Sequence, residues 1–305
     1  MSRKVLSVLL ATAMTASLLV GCGGSAAAPA ADAAAPAATE EAAPAADAAT
    51  EEAAPAADEA TAGKKVGVAM PTKDLQRWNQ DGSNMEEQLK AAGYEVDLQY
   101  ASNDVQTQVS QIENMINGGC NVLVIASIDG ESLGTVLETA KAAGIPVIAY
   151  DRLIMKTDAV SYYATFDNYM VGTKQGQYII DTLDLNNAAG PFTMEITGGD
   201  PGDNNAKYFY NGAMDLLKPF IDEGKIVVKS GQVDFEQVAT ASWATENAQS
   251  RMENILSSNY ADGTDLYICL CSNDSTALGV ENALAANYKG KYPVITGQDC
   301  DVANV

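Results

Sequence analysis

Six short polar stretches hold most of the residues in this chain that could do chemistry, and each reads as lying just beyond a strand. "TKDLQRW" carries Arg77 and Trp78, "YDRL" carries Asp151 and Arg152, and "GDPGDNNA" carries Asp203, Asn204 and Asn205. "TASWAT" carries Trp243, "CSNDS" carries Asn273 and Asp274, and "TGQDC" carries Gln298 and Asp299. The set combines carboxylates, guanidinium groups and carboxamides with the chain's 2 tryptophans. A hydroxyl both donates and accepts, so planar Asp, Asn and Arg groups can clamp neighbouring hydroxyls in pairs. Indole rings pack against apolar C–H faces. That mixture suits an uncharged monosaccharide. A phosphate would be repelled, although "GDPG" stands at the strand–turn–helix position where phosphates are often cradled. A lipid would find too few apolar walls.

Each element also has a plainer reading. Either tryptophan alone could be core, and "YDR" could be a surface ion pair. Asp203 with Asn204 could cap a helix, and "GGDPG" could be only a turn. What favours a shared site is position, because ligands of open α/β sheets sit at the carboxyl ends of strands.

The elements that must place these residues follow from hydrophobic periodicity. Strands are expected at 66–70, 96–100, 122–126, 146–150, 162–166, 192–196, 226–228, 266–270 and 294–295. Helices are expected at 84–92, 105–117, 133–143, 170–183, 206–221, 236–257 and 276–286. Strict alternation argues for parallel sheets covered on both faces. The rhythm changes at "YYATFDN", residues 162–168, which divides the folded part into lobes at 64–166 and 167–305. The fold class is α/β, with two Rossmann-like lobes of parallel sheet joined by a hinge.

Composition narrows the function. The net charge is −22, and about eight of those charges fall between residues 23 and 63. The remaining acidity disfavours nucleic acid, anionic membranes and free phosphates. With 0 histidines, Ser-His-Asp and Cys-His catalysis are excluded, as are His-based zinc sites. Nothing calls for a cofactor or a metal. Cys120, Cys269, Cys271 and Cys300 are expected to be free buried thiols, with one disulfide as the alternative. A glycosidase using Asp151 and Asp299 as acid and base is a rival. It is disfavoured because Arg152 and nearby amides should keep both carboxylates ionised.

Residues 1–22 read as an export signal: Arg3 and Lys4, then an apolar run ending in "LVGC". Its end resembles the bacterial lipoprotein cleavage box, which makes Cys22 the lipidated residue. Residues 23–63 are almost wholly Ala, Pro, Glu and Asp, with no side chains that could build a core. As a tether at about 3 Å per residue, this stretch would reach on the order of 100 Å.

The motifs "VGVAMPTKDLQRW", "QVSQIENMINGGCNVLVIASIDG", "GIPVIAYDRLI", "VSYYATFDN", "GGDPGDNNAKYFYNGAMDLLKPFID" and "VITGQD" occur in that order. Together they resemble the xylose-binding and multiple-sugar-binding receptors of ABC transporters, which are type I periplasmic binding proteins. The resemblance implies Arg77, Asp151, Arg152, Asn205, Asn273 and Asp299 as hydrogen-bonding residues, with Trp243 and Trp78 on opposite sugar faces. It also implies a monosaccharide ligand of xylose, glucose or galactose type, a membrane permease as partner and a monomeric receptor outside the cytoplasmic membrane. A sensory partner, a chemoreceptor or histidine kinase, is the alternative. Members of the family continue past "GQD" with a return segment to the first lobe, so the expectation is a chain truncated at Val305.

Overall fold

A computed structural model describes residues 63–304, so the export signal, Cys22 and nearly all of the expected tether lie outside the described residues. Two parallel sheets organise what is described. The first has the order β2-β1-β3-β4-β5, built from β1 (Lys65–Met70), β2 (Glu95–Tyr100), β3 (Val122–Ile125), β4 (Val147–Tyr150) and β5 (Val160–Ala164). The second has the order β7-β6-β8-β9, built from β6 (Phe192–Thr197), β7 (Ile226–Val228), β8 (Ile268–Cys271) and β9 (Val294–Ile295). Every pairing in both sheets is parallel.

Central strands such as "VGVAM", "VLVI" and "ICLC" are apolar on both faces, which only a sheet covered on both sides can bury. Helices α1 (Gln76–Ala91), α2 (Val105–Asn117) and α3 (Gly134–Ala142) supply the crossovers of the first sheet. α4 (Asn168–Thr182), α5 (Asn204–Asp222), α6 (Phe235–Val238), α7 (Thr245–Asn259) and α8 (Asp274–Asn287) belong with the second. Met115, Leu123, Ile125 and Leu137 are fully buried in one lobe, and Met194, Ile196, Leu217 and Ile268 in the other. These are two α/β lobes with separate cores.

Several helix starts double as functional positions. The side chains of Asp104, Asp167, Asp203 and Asn273 each accept a backbone N–H at the start of a helix. α4 and α5 cross with backbone against backbone: a Cβ on Gly172 would collide with the Phe209 carbonyl, and one on Gly212 with the Tyr169 carbonyl. That crossing fixes Asn205 and Phe209, which lie one helical turn apart on α5, relative to α4.

Three expectations need correction. α1 begins at Gln76 rather than near 84, and runs through Gly82, where the missing Cβ makes room for the Tyr100 ring. The expected helix at 236–257 is broken into α6, a 3-10 turn (Ala241–Trp243) and α7. The break lies where Ser242 (φ 59°) and Trp243 (φ 55°) take left-handed backbone, which turns Trp243 inward. Cys120, Cys269 and Cys271 are buried free thiols, but Cys300 is exposed, because it sits on the surface of the turn after β9.

Candidate ligand-binding cleft

The carboxyl ends of both sheets face one cavity, about 350 Å³ of interatomic space, lined by Arg77, Trp78, Asp151, Arg152, Asn205, Trp243, Asn273 and Asp299. The eight residues expected to contact a ligand are therefore brought together, whereas Asn204 and Asp274 of the same stretches do not line the cavity. Asp203 and Gln298, noted in the same stretches, also line it. Leu75, Phe209 and Ser275 line it too and were missed. Phe209 was legible in principle, because it lies four residues after Asn205 on a helix and so shares its face.

The cavity is narrow, and its walls bond to one another across the two lobes. Arg77 donates to both oxygens of Asp151, at 2.8 and 3.3 Å, and reaches Asp299 of the opposite lobe at 3.4 Å. Its Nε lies 3.3 Å from Asp81. Arg152 donates to the Ser127 carbonyl at 3.0 Å. Its Nε lies 3.0 Å from Asp203, an ion pair whose angle is too poor for a hydrogen bond. Asn205 donates to the Asp151 carbonyl at 3.0 Å, and Asn273 donates to Asp299 at 3.2 Å. Near the rim, the Gly130 N–H donates to the Gly202 carbonyl at 3.1 Å.

The two indoles play different parts. Trp243 packs edge-on against Phe209, with ring centroids 6.3 Å apart, and its Nε1 donates to Asp203 at 3.2 Å. It lies flat against Gly199, where any Cβ would overlap the ring. The second glycine of "GGDPG" thus makes room for an indole. Asp203 serves twice: one oxygen caps α5 through the Asn205 N–H, and the other holds Trp243. Trp78 is packed into the first lobe's core, and its ring lies 4.6 Å from the Arg77 guanidinium and 5.0 Å from that of Arg152. Its π face is engaged by cations.

Electrostatics follow from burial. Desolvation works against charge on Arg77, but Asp299 and Asp151 outweigh it and hold the guanidinium protonated. Burial pushes Asp203 upward against the pull of Arg152. Burial also pushes Asp299 up to about 6, with Arg77 opposing and the charge of Asp151 adding to the rise. At Asp299 this corrects the expectation that arginine and amide neighbours would keep the carboxylate ionised rather than raise it. At Asp299, loss of water outweighs the arginine.

Two predictions follow from this geometry. Gly199→Ala should dislodge Trp243 and red-shift the intrinsic tryptophan fluorescence; an unchanged spectrum would count against the packing described. Asp299 ionises near 6 when folded but near 3.8 when unfolded, so the folded state binds more protons between those values. Its contribution to stability is fully present below pH 3.8 and falls as pH rises to about 6. Asp299→Asn should escape that loss and gain on the wild type by about 1–3 kcal/mol between pH 4 and pH 7 in chemical denaturation. A constant difference across that range would refute the shift.

Comparison with known proteins agrees with this architecture. A model of the periplasmic binding protein domain matches residues 66–305. The multiple sugar-binding periplasmic receptor ChvE of Rhizobium radiobacter is 50% identical over 244 residues, covering 79% of this chain and 69% of the receptor. The D-xylose-binding periplasmic protein of Escherichia coli is 40% identical over 242 residues, covering 79% and 68%. An ABC transporter solute binding protein from Clostridium phytofermentans, solved with bound β-D-glucose, is 75% identical with a TM-score of 0.78, covering 79% of this chain and 75% of that one. With its two parallel-sheet lobes and these relatives, the chain belongs to the periplasmic binding protein family, among the sugar-binding periplasmic receptors.

Proposed function

We propose that this chain is the extracytoplasmic receptor of an ABC sugar transporter, capturing one monosaccharide between its lobes and delivering it to a membrane permease. The observation that carries the reading is the convergence of two arginines, three aspartates, three amides and two indoles on a single interlobe cavity. The ligand is a neutral aldose of glucose, xylose or galactose type. D-Glucose leads, because the Clostridium phytofermentans relative was solved with it. Arg77, Asp151, Arg152, Asn205, Asn273 and Asp299 hydrogen-bond its hydroxyls, and Trp243 stacks on one face. Trp78 closes the other side, with its two guanidinium neighbours shared between ring and ligand.

Capture works by exchange. The lobes, 64–166 and 167–305, open about the segment 166–168, which breaks the Arg77–Asp299, Arg152–Asp203 and Asn205–Asp151 contacts. Sugar hydroxyls then take up those donors and acceptors, and closure excludes water. An epimer with one misplaced hydroxyl leaves a buried polar group unpaired, and that cost gives selectivity. The receptor acts as a monomer, without cofactor or chemistry on the sugar. Arg77 sits on both Asp151 and Asp299, which a glycosidase would need free as acid and base.

Calorimetric titration of the full chain with glucose, xylose, galactose, arabinose and ribose tests the reading. A micromolar dissociation constant, roughly −8 kcal/mol, is expected for at least one aldose. Trp243→Ala should weaken it about 100-fold. No heat with any aldose, or hydrolysis of an aryl glycoside, would overturn the receptor role.

We further propose that Cys22 carries a lipid and that residues 23–63 tether the lobes outside the cytoplasmic membrane, supported by the "LVGC" box and the acidic, core-less composition that follows. Mass spectrometry of membrane-extracted protein should find diacylglycerol on Cys22. Cys22→Ser should release the protein from the membrane fraction, and retention of that variant would rule the anchor out.

A further inference from the structure

We propose that Asp274, which does not line the cavity, is the positioning residue that sets Asp299 into the cleft, an inference that rests on the receptor reading above.

Asp299 reaches its place through an unusual backbone. It stands at φ 95° and the next residue, Cys300, at φ 58°, both in the left-handed region that disfavours residues with a Cβ. Such a turn persists only if its surroundings over-determine it, and Asp274 provides the fastening. The Asp274 N–H donates to the Gln298 carbonyl at 2.9 Å, and its carboxylate accepts the Asp301 N–H at 2.9 Å. The carboxylate also faces the N–H groups of Cys300 and Gln298. Its backbone carbonyl accepts from the Asn304 side chain at 3.2 Å. The N–H groups of Gln298, Cys300 and Asp301 thus converge on one carboxylate, which burial pushes upward and these donors pull back. The arrangement is like that of an anion-binding nest, here filled by a side chain of the same protein.

Neighbouring positions fit this role. Gly297 passes so close that any Cβ would collide with Asp274 Oδ1. Asn273, next to Asp274, is the cap of α8 and donates to Asp299 at 3.2 Å. The start of α8 therefore holds Asp299 twice, through its side chain from Asn273 and through its backbone from Asp274. The groups facing Asp299 are Arg77 and Asp151 from the first lobe, and Asn273 and Asp301 from the second. A turn released from Asp274 would swing the Asp299 carboxylate out of that set.

The test uses the full chain as wild type, D274A, D274N, D299A and the D274A/D299A double variant. In calorimetry with D-glucose, D274A should weaken binding at least ~10-fold and D274N less, because the amide keeps one acceptor oxygen. Adding D274A to D299A should cost nothing further. A loss of fold stability alone would lower affinity equally in both backgrounds, so additive losses overturn the proposal. Carboxyl-detected NMR without sugar gives a second readout: the Asp299 resonance, assigned by its absence in D299A, should titrate near 6 in the wild type and fall toward the ordinary carboxylate range in D274A. An unmoved titration overturns the proposal. If D274A does not fold, D274N carries both measurements with the same signs. If the wild type takes up no sugar, the receptor reading fails while the NMR comparison still decides the positioning role.

Discussion

The cleft depends on the pairing of buried charge across two lobes. Arg77 and Arg152 come from the first lobe, while Asp203 and Asp299 come from the second. Taking such groups out of water costs several kcal/mol each unless a partner compensates, and here they pair with one another. A neutral polyol can replace those partners hydroxyl for hydroxyl, because it offers donors and acceptors without adding charge. An anionic ligand would add charge to a site that already holds three aspartates.

The same pairing explains why the site's apolar parts are so rigidly placed. Trp243 is held by Asp203 at its nitrogen, by Phe209 at its edge and by Gly199 beneath its ring. Asp203 also caps α5 and faces Arg152, so one carboxylate ties an indole, a helix and the opposite lobe together. Replacing it would disturb three elements at once.

Much of this was legible in the sequence, because strand ends are where parallel-sheet folds place ligands, and five of the six polar stretches follow that rule. "TASWAT", expected just beyond a strand, instead follows α6, which stands between it and β7. The strands were readable from their apolar runs, as in "VLVI" and "ICLC". What escaped is instructive. The break before α7 uses left-handed backbone at Ser242 and Trp243, with neither glycine nor proline to announce it. The first two turns of α1, from Gln76, were not expected as helix, although the helix runs through Gly82. Leu75 and Ser275 carry no sequence signal of a cleft, since their roles depend on tertiary closure. The shift of Asp299 was misjudged because a list of neighbours records charges but not the water they displace.

The close crossing of α4 and α5 has an evolutionary consequence. With two backbones touching at Gly172 and Gly212, α5 cannot tilt or slide to accommodate a bulkier guest without prising the pair apart. Retuning toward another guest must then come from side chains on the separate turns that rim the cleft, exchanged one at a time on an unyielding frame.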